Sequence, residues 1–121
     1  MKKVLILLIG IILLCGCDSS KKEEITINKI NCEEKDKLVK DGAILIDVRA
    51  SSEYDEYHLD DAINIEYTEI ANKIEKVVDD KNKKIIVYCK SGKRSDIAAQ
   101  SLKDLGYTNI YDLGSINNCK K

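Results

Sequence analysis

Two short apolar runs constrain this chain more than any other feature. Ala43-Ile44-Leu45-Ile46-Asp47-Val48 is broken only by Asp47, and Lys84 to Tyr88 contains Ile85-Ile86-Val87. Runs of this length, without polar alternation, suit strands covered on both faces. Such strands need helices above and below them. The stretches between and around the runs read accordingly. Ile25-Thr26-Ile27, Ala62-Ile63-Asn64-Ile65 and Asn109 to Leu113 read as further short strands. Cys32 to Lys40 reads as a helix stopped by Gly42. Ile70 to Val78 and Ser95 to Leu105 carry apolar residues at helical spacing, the second ending at Gly106. Alternating strands and helices imply crossover units and a mainly parallel sheet. The expectation is an α/β fold, and 121 residues leave room for one domain.

Composition excludes several function classes. Twenty basic residues against 21 acidic ones give a net charge of -1. A field of that size does not gather nucleic acid. The single histidine, His58, excludes a multi-histidine metal site. Five cysteines without a short loop-rich spacing do not form a disulfide scaffold, so each needs its own account.

The first residues stand apart. Met1-Lys2-Lys3, the apolar run Val4 to Leu14 and then Cys15-Gly16-Cys17 follow the pattern of a secretory signal. A membrane-spanning helix needs roughly 20 apolar residues, more than this run supplies. Leu14-Cys15-Gly16-Cys17 resembles the lipobox of bacterial lipoproteins. That resemblance implies a signal peptide over residues 1–16 and lipidation at Cys17. It implies an extracytoplasmic protein, lipid-anchored to the bacterial cell membrane. Two acyl chains on one cysteine suffice for stable anchoring. Cleavage would remove Lys2 and Lys3, leaving 18 of the 20 basic residues against 21 acidic ones. Asp18 to Glu24 has no apolar residue, so residues 17–24 read as a lipidated cysteine and flexible tether. Seven flexible residues reach on the order of 15 Å. The folded domain is expected over residues 25–121.

In parallel sheets, ligands bind beyond the C-terminal ends of the strands. Cys89-Lys90-Ser91-Gly92-Lys93-Arg94 occupies such a place, between a buried strand and a helix opening at Ser95. Ser91 and Gly92 permit a tight turn. Loop amides and a helix N-terminus then converge on one cavity, which holds an anion and favours a thiolate. Lys90, Lys93 and Arg94 add positive charge. The segment reads as an anion cradle with a nucleophilic sulfur at its base. The alternative for Cys89 is a buried thiol that merely ends a strand.

These residues resemble a single-domain rhodanese. The resemblance rests on Leu45-Ile46-Asp47-Val48-Arg49, Glu53-Tyr54, His58-Leu59, Ala62-Ile63-Asn64-Ile65 and Ile86 to Ser95. It continues through Ala98-Ala99, Leu102, Leu105-Gly106-Tyr107 and Leu113-Gly114, in family order. It implies a rhodanese-like three-layer fold with a mainly parallel five-stranded sheet flanked by helices. It implies that Cys89 takes sulfane sulfur from a donor as a persulfide and passes it to a thiol or cyanide. The donor would be a small sulfur-containing anion or a persulfide, and the acceptor a thiol, free or on a protein. Amides from Lys90 to Arg94 would hold the outer sulfur. No metal or organic cofactor is implied.

The resemblance also assigns supporting roles. Asp47 and Arg49 would be structural, with Arg49 paired to Glu53 or a nearby carboxylate. His58 would support the turn before the next strand, against the alternative of a Cys-His dyad. Related phosphatases place one residue more between Cys and Arg than the Lys90-Ser91-Gly92-Lys93 found here, which disfavours a phosphatase or arsenate reductase reading. Two departures stand out. Tyr57, Asp60 and Asp61 replace glycine, proline and glycine in the family turn around His58. Cys119 stands where the family often has a tryptophan. Three fates for Cys119 stay open: a disulfide with Cys32, attack on a Cys89 persulfide, or a free thiol. Rival functions are a non-catalytic sulfur-binding module and a thiol-redox protein using Cys119.

Overall fold

The computed structural model describes residues 24–120. The proposed signal peptide over 1–16, the lipidation site Cys17 and all but the last residue of the 17–24 tether lie outside the described residues.

Five strands and four helices alternate along the chain. They run β1 (Ile27–Lys29), α1 (Cys32–Lys40), β2 (Ile44–Asp47), α2 (Ser51–Glu56), β3 (Ile63–Asn64), α3 (Ile70–Val77), β4 (Lys84–Cys89), α4 (Lys93–Asp104) and β5 (Asn109–Ser115). A 3-10 turn, Ile116–Cys119, follows. The strands form one sheet in the order β1-β5-β4-β2-β3, and every pairing is parallel.

The two apolar runs are β2 and β4, next to each other near the middle of the sheet. Ile85, Ile86, Val87 and Tyr88 have no exposed surface, as the absence of alternation requires. Alternate residues serve two cores. Ile46, Val48, Ile85 and Val87 pack with Ile70 and Ile74 of α3 and Ala98, Ala99 and Leu102 of α4. Leu45, Ile86 and Tyr88 pack on the other side with Leu59, Leu113, Ile116 and Leu38 of α1. Each fully buried aliphatic side chain stabilises the fold by roughly 1.5–3 kcal/mol.

Helix α1 covers Cys32–Lys40, as its sequence predicts. Asn31 caps it through a reciprocal pair: the Glu34 amide donates to Asn31 Oδ1 at 2.8 Å, and the Asn31 amide donates to Glu34 Oε1 at 2.9 Å. Other boundaries move. β1 starts at Ile27 rather than Ile25, because its register is set against Ile110–Asp112 of β5. β3 shrinks to two residues at the sheet edge. Helix α2 was not expected at all: Ser51-Ser52-Glu53-Tyr54-Asp55-Glu56 has no apolar periodicity. Helix α4 starts at Lys93, two residues before Ser95, with Gly92 as its cap at φ 102°. That left-handed angle is one glycine adopts without steric cost.

Asp61, in place of a family glycine, takes a left-handed φ of 69°, which aspartate tolerates better than most residues. At the far end of β5 the sheet is irregular. Val87 pairs with Asp112, but Tyr88 pairs with Gly114, so β5 carries one extra residue there. A bulge of this kind bends the strand and re-aims its side chains. Cys32 and Cys119 are joined in a disulfide across 87 residues of sequence. Of the three fates open to Cys119, the structure shows this one.

Candidate active site

Cys89 is the last residue of β4 rather than the first of the loop, and it is fully buried. Its Sγ accepts the amide of Gly92 at 3.0 Å and the amide of Ser95 at 3.3 Å. Gly92 caps α4 and Ser95 lies in its first turn. Amides at a helix N-terminus have no partner within the helix. Here two of them turn to a sulfur, and the helix dipole adds a favourable potential for negative charge. Among the described residues, Cys89 is the one free cysteine.

The loop residues divide by role. Lys90, Ser91 and Lys93 have exposed side chains, while Gly92 and Arg94 are half-buried. Arg94 does not aim its charge at Cys89 alone. Its guanidinium donates to both oxygens of Glu53, at 2.8 and 3.3 Å. That pair holds the Glu53 carboxyl below the usual carboxylate range, with a smaller contribution from the Ala50 amide. It raises Arg94 in turn. Glu53 also accepts the Ala50 amide at the start of α2. The unexpected helix thus holds the carboxylate that clamps the active loop.

Arg49 is therefore paired elsewhere than with Glu53. It joins Asp47, two residues earlier, through its Nε and a terminal nitrogen, the latter at 2.7 Å. Asp47 also accepts the Arg49 amide and the Tyr88 hydroxyl. Both charges are buried, Asp47 completely. Arg49 further donates to the Tyr57 carbonyl at 2.6 Å. The hydrogen bonds it donates to Asp47 push the Arg49 guanidinium up. Burial and the bond to Asp47 push the Tyr88 phenol up, so it remains a donor. His58 stacks on Tyr54, ring centres 3.7 Å apart, and its Nδ1 meets the Tyr54 carbonyl at 2.8 Å. These contacts hold the turn, not Cys89.

Sequence reasoning missed the floor of the site. Asp112 of β5 is 1% exposed. Its Oδ1 accepts the Ser95 hydroxyl at 2.8 Å and the Gly114 amide at 2.9 Å, and its Oδ2 accepts Lys29 Nζ at 3.1 Å. The signal was present: Ile110 and Asp112 share a strand face, and an acid on an inward face asks for partners. Attack of Cys119 on a Cys89 persulfide requires Cys119 as a free thiol. With Cys119 bonded to Cys32, Cys119 does not act as one in this state. The disulfide instead borders a cleft of about 550 Å³ with Lys35, Tyr57 and Asp61, which includes no residue of the Cys89 loop.

Comparison with known proteins places this geometry. Residues 31–121 match the Rhodanese-like domain family. The thiosulfate sulfurtransferase PspE of Escherichia coli (strain K12) is 37% identical over 73 residues, covering 60% of this chain and 70% of that protein. The thiosulfate sulfurtransferase GlpE of Pseudomonas savastanoi pv. phaseolicola is 31% identical over 85 residues, 70% of this chain and 78% of that one. Among solved structures, a rhodanese with anions from E. coli superposes with a TM-score of 0.62 at 35% identity, covering 64% of this chain and 91% of that one. A buried cysteine at the end of the fourth strand, held by the amides of the following helix, sits within the matched segment. The chain belongs to the rhodanese-like family, as a rhodanese-type sulfurtransferase.

Proposed function

We propose that Cys89 carries sulfane sulfur as a persulfide, taking it from a small anionic donor such as thiosulfate and giving it to a thiol or to cyanide. The observation that carries this reading is the pair of amides, Gly92 and Ser95, directed at Cys89 Sγ. Donors so placed stabilise a thiolate before transfer, and again when it is the leaving group.

The steps balance without a cofactor. The Cys89 thiolate attacks the outer sulfur of thiosulfate. A new S–S bond forms, the old one breaks, and sulfite leaves with the electron pair. The acceptor, as a thiolate or cyanide, then attacks the outer sulfur of the persulfide, and the Cys89 thiolate leaves. This is covalent catalysis in two displacements. Lys93 and Arg94 supply the remaining first-turn amides of α4, suited to the outer sulfur. The exposed Lys90 and Lys93 side chains favour an anionic donor. The relatives named as thiosulfate sulfurtransferases support thiosulfate as the first donor to try.

The protein works on the outer side of a bacterial membrane, lipid-anchored through Cys17 after removal of residues 1–16. Support comes from the basic start, the short apolar run and Leu14-Cys15-Gly16-Cys17. The Cys32–Cys119 bond supports it too, since such bonds persist in oxidising compartments. The acceptor is then a thiol outside the cytoplasm, free or on a neighbouring protein.

Intact-mass measurement of the full chain in detergent tests the chemistry. After reduction and removal of reductant, thiosulfate adds one sulfur atom, cyanide removes it, and Cys89→Ser takes up none. No adduct with thiosulfate or with a persulfide donor overturns the reading and favours a binding module. Palmitate labelling in a bacterial host, lost with Cys17→Ala, tests the anchor.

A further inference from the structure

We propose that Asp112 is a positioning residue for the Cys89 site, acting through the Ser95 hydroxyl to aim both amides that face the sulfur. The inference rests on the reading of Cys89 as the sulfur carrier.

The two amides do not hold themselves. Gly92 stands at a left-handed angle at the mouth of α4, and Ser95 lies three residues on. One hydroxyl lies between them, its single proton shared by two acceptors. Ser95 Oγ lies 3.1 Å from the Gly92 carbonyl and 2.8 Å from Asp112 Oδ1. The same group thus sits against the backbone of one donor and belongs to the other. Ser95 is fully buried, so no water replaces these contacts.

Asp112 comes from a different element and anchors the group from below. Its Oδ1 also accepts the Gly114 amide, across the β5 bulge. Its Oδ2 takes Lys29 from β1, which gives the buried carboxylate its counter-charge. Asp96 of α4 lies 4.0 Å from the same ammonium, at the exposed side. Arg94 of the loop is held by Glu53. Three donors therefore meet two carboxylate oxygens. An amide side chain offers one acceptor oxygen where the carboxylate offers two, and it turns an N–H₂ toward a donor. Asp112→Asn keeps an Oδ1 for Ser95 and Gly114 and gives up the Lys29 contact, whereas Asp112→Ala removes all three.

Gly114 completes the fit. Its φ is 82°, and its Cα lies 3.7 Å from where a Cβ on Gly92 would stand. The bulge that presents Asp112 also brings the β5 backbone against the loop. Ser115 Oγ donates to the Lys90 carbonyl at 2.6 Å on the outer side. β5 thus holds the loop at two points, and Asp112 is the one that reaches the sulfur's donors.

Amide hydrogen exchange on the full chain in detergent tests the proposal without requiring turnover. In Asp112→Ala and in Ser95→Ala, protection at Gly92 and Ser95 falls about ten-fold or more, while the amides of Ile86 and Ala99 in the cores keep theirs. Ser95→Thr, which retains the hydroxyl, keeps protection at both sites. Sulfur loading from thiosulfate slows about ten-fold or more in the first two variants. KM stays within about two-fold, because Lys90 and Lys93 are untouched. The double variant is no worse than the worse single one, since both act on one path. Unchanged protection at Gly92 and Ser95, or an equal loss everywhere, overturns the proposal and leaves Asp112 a general stabiliser. If Asp112→Ala does not fold, Ser95→Ala decides alone. A parent that loads no sulfur defeats the reading of Cys89 as carrier, while the exchange pattern still decides the role of Asp112.

Discussion

The turns that follow β2 and β4 are neighbours in the sheet and do opposite things. Each ends a buried central strand at the same edge, and each has a fully buried acceptor side chain at the strand's last position, Asp47 in one and Cys89 in the other. Asp47 saturates itself. Its two oxygens take the Arg49 amide, two nitrogens of the Arg49 guanidinium and the Tyr88 hydroxyl. Cys89 Sγ takes two amides, and sulfur is a weak acceptor. One turn has spent its polar groups on itself. The other holds donors for a charge that rises and falls during a reaction. A site is distinguished here by what its acceptor leaves undone, not by burial or by its place in the fold.

Breaking each turn in kind should separate the two. Asp47→Ala leaves the buried Arg49 without its partner, and loss of one member of a buried pair costs about 3–5 kcal/mol. Urea unfolding reads that loss. At a temperature where the variant is folded, sulfur transfer per folded molecule stays within about two-fold of the parent. If Asp47→Ala abolishes transfer while folded, as Cys89→Ser does, the contrast fails.

Tyr88→Phe has a smaller effect, because it strands only single partners. Tyr88 Oη donates to Asp47 and accepts the Leu59 amide. Leaving them unmet costs about 1–3 kcal/mol. Denaturant midpoints should fall accordingly, with KM unchanged. A raised KM would show that the two turns communicate through Tyr88.

The smallest effect is on acid stability. Glu53 has a lowered folded pKa, mainly through Arg94. Its contribution is therefore full above the ordinary carboxylate range and is lost as pH falls through the folded value. Glu53→Gln should flatten that acid limb of stability while leaving the neutral plateau within about 1 kcal/mol. An unchanged limb would mean that the Arg94–Glu53 clamp adds nothing to the loop.

Much of this architecture was readable beforehand, for physical reasons that also mark where reading stops. β2 and β4 announce themselves because apolar runs without alternation have few other homes. Helix α1 shows its stop in Gly42, while its cap of Asn31 and Glu34 came from the structure. Helix α2 gives no periodic signal, since Tyr54 alone of its six residues is apolar. Glu53, Asp112 and Lys29 fall under the same limit. Each meets its partner across at least 17 residues of sequence, and local pattern carries no information about such distances. Position does carry some: Asp47 and Asp112 are both acids on inward strand faces, and both proved to be hubs.

The disulfide gives the molecule a mechanical polarity. Cys32 and Cys119 close the segment between them into a covalent ring that contains β2, β3, β4, β5 and Cys89. A pull along the chain toward its start passes through that bond and cannot unthread the ring. Among the described strands, only β1 lies outside it. Tension therefore peels β1 first, and with β1 goes Lys29, the counter-charge of Asp112. A chain tethered at its N-terminal end would feel force at the site through one ammonium group, well before any strand inside the ring gave way.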